Sequence, residues 1–486
     1  MKNNFKLYLL ITFLFTLPIM IANVYYSDDM SRAMSGVTYW GIDGRPLSDN
    51  LMILINFNSH LSDLAPMPLI LACCLIAFSF YMFYKEIFNS EKHFTFLPIA
   101  FLFSPFIIEP LSYRFDSLTI SASLFFSFAF VSINPKNKIC SVVLHSVFIV
   151  CLLSLYQPSI NISLILISIV MFANISKKKE PLYIIKLIIL QIIELIIGVI
   201  IYVIVILPST HVNDNSQNHP GIASNIINRI HKNAIEYYNF YSENILPSHG
   251  NVLIVSAFIF SIFLSFILLV RYYKVYKTKA SISLVLIAIL SIPLTFIASM
   301  VSLLVLENSL TTFARVYIGI NGLTLFLFSL LYLAIHITKI TNAILFVCCL
   351  YILTFCYSYG NALHAQDNTN QEIARVIKNS LKDVPSNTVN IMFDGITPKS
   401  PILTNSSVNY PLFKTIVLNY FYNWYGSHVY LKIRGVNQNY PDFSSENISI
   451  FMNNYCTSTL IYSSNDINIY RDDDNVMVSF DNSLCK

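Results

Sequence analysis

A chain of 486 residues that is 55% hydrophobic and only 12% charged is not built like a soluble domain, in which about a quarter of residues carry charge. A net charge of +4, with no basic domain and no nucleic-acid motif, excludes nucleic-acid binding as an organising function. Mean hydropathy of +0.61 and apolar runs recurring from residue 7 to residue 358 predict a polytopic membrane protein, because each run is near or above the length that crosses ~30 Å of hydrocarbon.

In chain order the runs predict eleven helices: 7–24, 66–84, 94–108, 118–133, 140–155, 159–175, 182–207, 251–270, 281–305, 316–335 and 341–358. The first has no small-x-small cleavage site before the acidic stretch after it, so it reads as a retained span. Alternate connections then separate by charge. One side holds fourteen basic residues, among them Lys2, Lys6, Lys85, Lys92, Lys177, Lys178, Lys179, Arg271 and Lys339, and the other holds six: Arg32, Arg45, Arg114, Arg229, Lys232 and Arg315. The positive-inside rule puts the first set, with the N-terminus, in the cytoplasm. An odd number of spans sends the tail outside. The predicted organisation is an all-α polytopic membrane domain over residues 1–358, followed by a small C-terminal α/β extracytoplasmic domain over 359–486.

That tail is polar and rich in Asn and Ser. A helix is predicted over Gln366–Asp383 and short strands over Val389–Phe393, Ser458–Tyr462, Ile467–Tyr470 and Val476–Phe480. Seven of the nine cysteines fall in or beside apolar helices, where cysteine acts as a small hydrophobe. Cys456 and Cys485 lie in the tail. In an oxidising compartment they are a candidate disulfide worth roughly 3–4 kcal/mol, with two free thiols the alternative.

Candidate chemistry collects in the outer loops. The stretch YYSDDMSRAMSGVTYWGIDGRPLSD places Asp28, Asp29, Arg32, Asp43, Arg45 and Asp49 within 22 residues. A carboxylate at a low-dielectric boundary suits removal of a proton from an alcohol, and Arg32 is spaced to keep one of the adjacent pair ionised. The bland alternative is a solvated helix end. Asp43-Gly44 signals a turn and Pro46 stiffens the chain after Arg45, a placement suited to forking onto a phosphate. In EPLSYRFDS, Glu109, Tyr113, Arg114 and Asp116 share a short loop; Arg114 and Asp116 read either as a structural pair or as a second phosphate contact. Tyr156 and Gln157 are candidate sugar hydrogen-bonders. Asn225–Tyr241 has the spacing of an amphipathic interfacial helix with Arg229, His231 and Lys232 toward headgroups. Glu307 and Arg315 close the set, Arg315 being a third phosphate candidate. One carboxyl, Glu194, lies deep in an apolar run, and a hydrogen bond to Gln191 or to another helix is its cheapest accommodation. No HExxH, CxxC pair, Walker loop or Gly-x-Ser-x-Gly occurs, so metal-hydrolase, redox, ATPase and serine-hydrolase readings lack a motif.

The stretch from Tyr25 to Asp49, with DLAPMPLILA at 63–72, EPLSYRFDSL at 109–118 and, more weakly, FARVYIG at 313–319, resembles the Gtr-type serotype-converting O-antigen glucosyltransferases, the type II group of these phage-borne enzymes. The resemblance implies a GT-C-like multi-pass transferase of the bacterial inner membrane. It implies polyprenyl-phosphate-glucose as donor and lipid-linked O-antigen as acceptor, with a donor synthase and a flippase as functional partners and membrane lipids around it. It carries Asp28 or Asp29 over as the base, without choosing between them. It implies no certain cofactor, and a divalent cation stays open.

Two other classes compete. An O-antigen polymerase or another polyprenol-dependent transferase would use the same surface chemistry. A polysaccharide or lipid transporter would instead place charges at the bilayer midplane and repeat its halves, whereas here the charges cluster at one face, only Glu194 lies deep, and no internal repeat is found. A mere anchor for the tail would not need acidic and basic outer loops.

Overall fold

The structure, a computed structural model, describes residues 2–88, 95–210, 220–248, 251–335, 338–382 and 389–481. It opens with α1 (Lys2–Ala22), α2 (Asp29–Ser35), α3 (Pro46–Asn56) and α4 (Met67–Phe88). The 3-10 turns Leu97–Phe103 and Pro105–Ile107 lead into the short α5 (Ile108–Ser112). There follow α6 (Asp116–Ser132), α7 (Lys138–Leu153), α8 (Ile160–Ser176) and α9 (Pro181–Ile201). A π-helical turn, Tyr202–Ile206, carries α9 into α10 (Leu207–Thr210). Then come α11 (Ile226–Asn244), α12 (Asn251–Tyr276), α13 (Lys279–Ala298), α14 (Val301–Leu304), α15 (Gly319–Ile335) and α16 (Thr338–Ser380). Among the described residues eight helices are long and apolar enough to cross a membrane, while α6 and α7 are apolar but shorter.

The third expected helix, 94–108, is the clearest departure. Pro98, Pro105 and Pro110 remove N–H donors at short intervals, so residues 97–112 run as broken turns instead of one α-ladder. Leu97–Phe103 is fully enclosed by other helices, which is where irregular backbone at membrane depth is tolerated. Its freed carbonyls have partners. The Asn321 amide of α15 donates to the carbonyls of Phe101 (2.8 Å) and Ser104 (2.9 Å), and the Thr324 hydroxyl to that of Ala100 (2.9 Å). Around it the core is aromatic: Phe80, Phe101 and Phe128 meet edge to face at 5.6–5.9 Å.

A second departure is α16. The expected helices 341–358 and 366–383 are one uninterrupted helix of 43 residues. No proline interrupts it, and Gly360 is where it crosses α1, so closely that a Cβ there would sit 2.5 Å from Pro18. Its polar end buries Ile373, Ala374 and Ile377 in the core of the C-terminal unit.

That unit holds β1 (Asn390–Asp394), β2 (Thr459–Ser463), β3 (Asn468–Asp472) and β4 (Asn475–Ser479), each within one or two residues of its expected position. The sheet order is β1-β4-β3-β2, with β1 parallel to β4 and the other pairs antiparallel. Four helices, α17 (Pro401–Asn409), α18 (Phe413–Ile416), α19 (Tyr425–Ile433) and α20 (Glu446–Asn454), complete it. Cys456 is disulfide-bonded; Cys485 lies outside the described residues, and the seven other cysteines are free.

The expected interfacial helix is α11. It turns Asn233, Tyr237 and Phe240 inward and leaves Ile227, Ile235 and Tyr238 on the surface. His231 and Lys232 are exposed as expected, but Arg229 instead pairs with Glu307 at 2.8 Å. Glu194 is accommodated by another helix, not by Gln191. Its carboxylate accepts from the Ser141 hydroxyl of α7 (2.7 Å) and is hydrogen-bonded to His145 Nδ1 (2.6 Å). The Gln191 amide has no hydrogen-bond partner among the described residues.

Candidate active site

The loops after α1, α2 and α3, the α5–α6 connection, the turn after α7 and the entry to α15 meet at one end of the bundle, and the C-terminal unit sits on them. The Tyr26 hydroxyl donates to the Ile416 carbonyl at 2.8 Å. The Tyr420 hydroxyl accepts from Ser27 N (3.1 Å) and donates to the Tyr25 carbonyl (3.0 Å). These bonds hold Ser27 at a positive φ of 49°, a left-handed conformation costly for a residue with a Cβ and sustained only when its surroundings over-determine it. The turn launches α2 and separates the two adjacent carboxylates.

Asp29 points inward and is 0% exposed. Its oxygens accept from the backbone N–H groups of Tyr26 (3.1 Å), Arg114 (2.9 Å) and Phe115 (3.3 Å). It ties the first loop to the start of α6. Burial pushes its carboxyl up to about 7 against those N–H groups. Asp28 points the other way, its side chain 57% exposed. Crowding by protein would raise its pKa, but the charges of Arg315, Arg32 and Arg45, with the Ser27 hydroxyl, outweigh that and hold it below the ordinary carboxylate range.

Three cations stand around Asp28. Arg32 stacks over the Trp40 ring at 4.3 Å, with Nη1 4.0 Å from Asp28 and 3.5 Å from Asp116. Arg45 reaches Asp43 at 3.2 Å and Asp116 at 3.7 Å. Asp116 opens α6 and accepts from Trp40 Nε1 at 2.7 Å, so it orients both guanidiniums. Arg32 is buried, yet its Nε and Nη1 make no hydrogen bond among the described residues. Arg315 is clamped through its backbone: its N–H donates to Glu109 (2.6 Å) and its carbonyl accepts from Tyr156 (2.9 Å). Its guanidinium donates to the Tyr113 hydroxyl. Burial pushes the Glu109 carboxyl up to about 7, opposed by the Arg315 charge and its N–H.

The other candidates are spent on structure. Arg114 does not pair with Asp116. It pairs with Asp63 at 2.6 Å, stacks over Tyr25 at 3.9 Å, and donates to Val24 and Asn23 through its remaining nitrogens. The Gln157 amide donates to the Asp43 carbonyl (2.8 Å) and to the Tyr202 hydroxyl (3.1 Å), and Tyr202, at the π-helical turn, donates to the Gly44 carbonyl (2.8 Å). Together they brace the Asp43–Gly44 turn, where Gly44 has φ +76° and no room for a Cβ. Asp49 fixes the same turn by accepting from Trp40 N and Gly41 N. Trp40, Asp63 and Tyr420 were not singled out in the sequence. The indole beside two arginines was a readable signal for Trp40, whereas Asp63 and Tyr420 depend on tertiary docking. Among the described residues no group of three His, Cys, Asp or Glu side chains is placed to hold a metal ion.

A family model described as Glucosyl transferase GtrII matches residues 17–328. The chain is also similar to a Salmonella phage P22 protein described as an uncharacterized 55.3 kDa protein in the gtrB 5' region. The two are 26% identical over 452 residues, which covers 91% of this chain and 92% of that protein. No solved structure matches the chain.

Proposed function

Because the chain belongs to the GtrII glucosyl transferase family, we propose that this membrane glycosyltransferase moves glucose from polyprenyl-phosphate-glucose to lipid-linked O-antigen at the periplasmic face of the bacterial inner membrane. One observation carries the reading: an exposed Asp28, held ionised, stands among Arg32, Arg45 and Arg315, and two buried Arg32 nitrogens make no hydrogen bond among the described residues. A sugar phosphate needs that combination, and a transporter has no use for a base beside it.

In the proposed step Asp28 takes the proton of an acceptor hydroxyl. The freed oxygen attacks the anomeric carbon, the bond from that carbon to the phosphate oxygen breaks, and polyprenyl phosphate departs with the electron pair. Configuration inverts in a single displacement. The arginines stabilise the charge growing on the phosphate, the kind of preorganised electrostatics that supplies much of catalysis. Asp29, Asp116 and Glu109 position the loops, Tyr113 holds Arg315, and Gln157 braces the turn carrying Asp43 and Arg45. The donor's lipid stays in the bilayer throughout, so the fourteen-to-six charge asymmetry favours a site on the face opposite the lysine-rich loops.

Mass spectrometry of O-antigen from cells with and without this protein tests the proposal. One hexose added per repeat is expected. A changed chain length with unchanged repeats would instead make the protein a polymerase.

A further inference from the structure

The C-terminal unit carries a recess that the transfer step does not use. Its floor is Ile391 and Phe393 of β1, its wall is α19, and its rim is the segment from Gln438 to Phe443. Its enclosed space is only about 10 Å³, room for one water, so a ligand would lie across its open mouth against the rings. Tyr422 and Trp424 stack at 5.1 Å and 6° on one side, while Tyr440 packs edge-on to Phe443 (5.8 Å) and His428 (5.9 Å) on the other. On a soluble surface such rings are expected to be covered, yet Tyr422 is 52% and Tyr440 45% exposed.

Polar atoms between the rings are unspent. Gln438 is only 7% exposed, its amide N–H donates to the His428 carbonyl at 3.2 Å, and its Oε1 has no partner among the described residues. The Nδ1 of His428 is likewise buried without a partner. Burial, with Lys432 nearby, holds the imidazole below its usual pKa and therefore neutral. Native proteins seldom leave such atoms idle, because each costs about 1–3 kcal/mol. Among the described residues no charged side chain lines the recess.

We infer that this recess binds a neutral saccharide segment of the acceptor glycan. Ring faces with a negative quadrupole suit the C–H faces of a pyranose, and one unpaired acceptor together with one imidazole suits its hydroxyls. The absence of charge disfavours a phosphate or an acidic peptide. The position fits as well. Trp424 stacks in turn on Tyr420 at 6.5 Å, and Tyr420 bonds the backbone of residues 25 and 27 beside Asp28. Two ring-to-ring steps therefore connect the recess to the catalytic turn, a span that the next sugars of one chain can bridge. The inference rests on the proposed transfer to a saccharide.

The test uses the full chain in lipid nanodiscs and, as probe, delipidated O-polysaccharide from the bacterial host. Tyr422→Ala and Tyr440→Ala should each weaken retention on the immobilised polysaccharide by about tenfold, the loss of one aromatic contact. They should raise KM for the acceptor to match and leave kcat within about twofold of wild type. Asp28→Asn should bind as wild type while failing to transfer. Wild-type protein that transfers but does not bind the polysaccharide, or tyrosine variants with unchanged binding and KM, overturns the inference and leaves the transferase reading standing. Wild-type protein that binds but never transfers sinks the transferase reading alone. Lower thermal stability of the tyrosine variants in nanodiscs, with unchanged retention, would assign the rings to the bilayer surface and also overturn the inference.

Discussion

Neutralising each of the paired aspartates in turn separates chemistry from architecture. In Asp29→Asn, one oxygen that accepts a backbone N–H becomes an NH2 group. The three donors from Tyr26, Arg114 and Phe115 then share a single acceptor oxygen, and at least one buried N–H faces another donor. An unsatisfied buried donor costs about 1–3 kcal/mol, so the unfolding midpoint should fall by several degrees, with transfer reduced in proportion to the folded, correctly looped fraction. Asp28→Asn touches an exposed group, so stability should stay within about 0.5 kcal/mol, while loss of the base should lower transfer by about 10²–10⁴-fold. The assay pairs transfer in membranes, normalised to protein abundance, with thermal unfolding of the purified protein followed by a thiol-reactive dye, which the seven free cysteines make practical. A fully active Asp28→Asn beside a stable but inactive Asp29→Asn would refute the assignment.

Two further outcomes follow from the same geometry. Arg45→Ala should raise the donor KM at least about tenfold, whereas Arg114→Ala should chiefly lower thermal stability because Asp63 and Asn23 lose their partner; donor titrations and melting curves on both variants distinguish these effects. Glu109, raised from 4.5 to about 7 by burial, is protonated in the folded state and ionised in the unfolded state between those values. Its contribution is complete below about pH 4.5 and is lost as pH rises through about 7, on the order of 3 kcal/mol. Glu109→Gln should therefore flatten that part of the stability–pH profile, and melting points taken from pH 4.5 to 8 check it.

Much of this was legible in the sequence because it depends on local pattern. Apolar length located the helices, alternation located the strands to within one or two residues, and loop charge located the face where the site assembles. What escaped depends on tertiary contact. Residues 94–108 have the composition of a span, and only the spacing of Pro98, Pro105 and Pro110 hinted that Asn321 and Thr324 would have to satisfy loose carbonyls. The join inside α16 was hidden because hydropathy changes near residue 360 while helical spacing does not. Asp28 and Asp29 are indistinguishable as letters, and a turn locked by Tyr420, nearly 400 positions away, decides which one meets water. Arg114 and Asp116 read as partners by proximity, yet the start of α6 turns them toward different neighbours.

The unbroken α16 makes the molecule behave mechanically as a shaft. At 1.5 Å and 100° per residue, its 43 residues gear the C-terminal lobe to the apolar helix bundle. Adding or deleting one residue beyond Gly360 would swing that lobe by about a quarter turn and pull Tyr420 off the turn it locks. The register of a single helix thus sets where the C-terminal lobe meets the turn that carries Asp28.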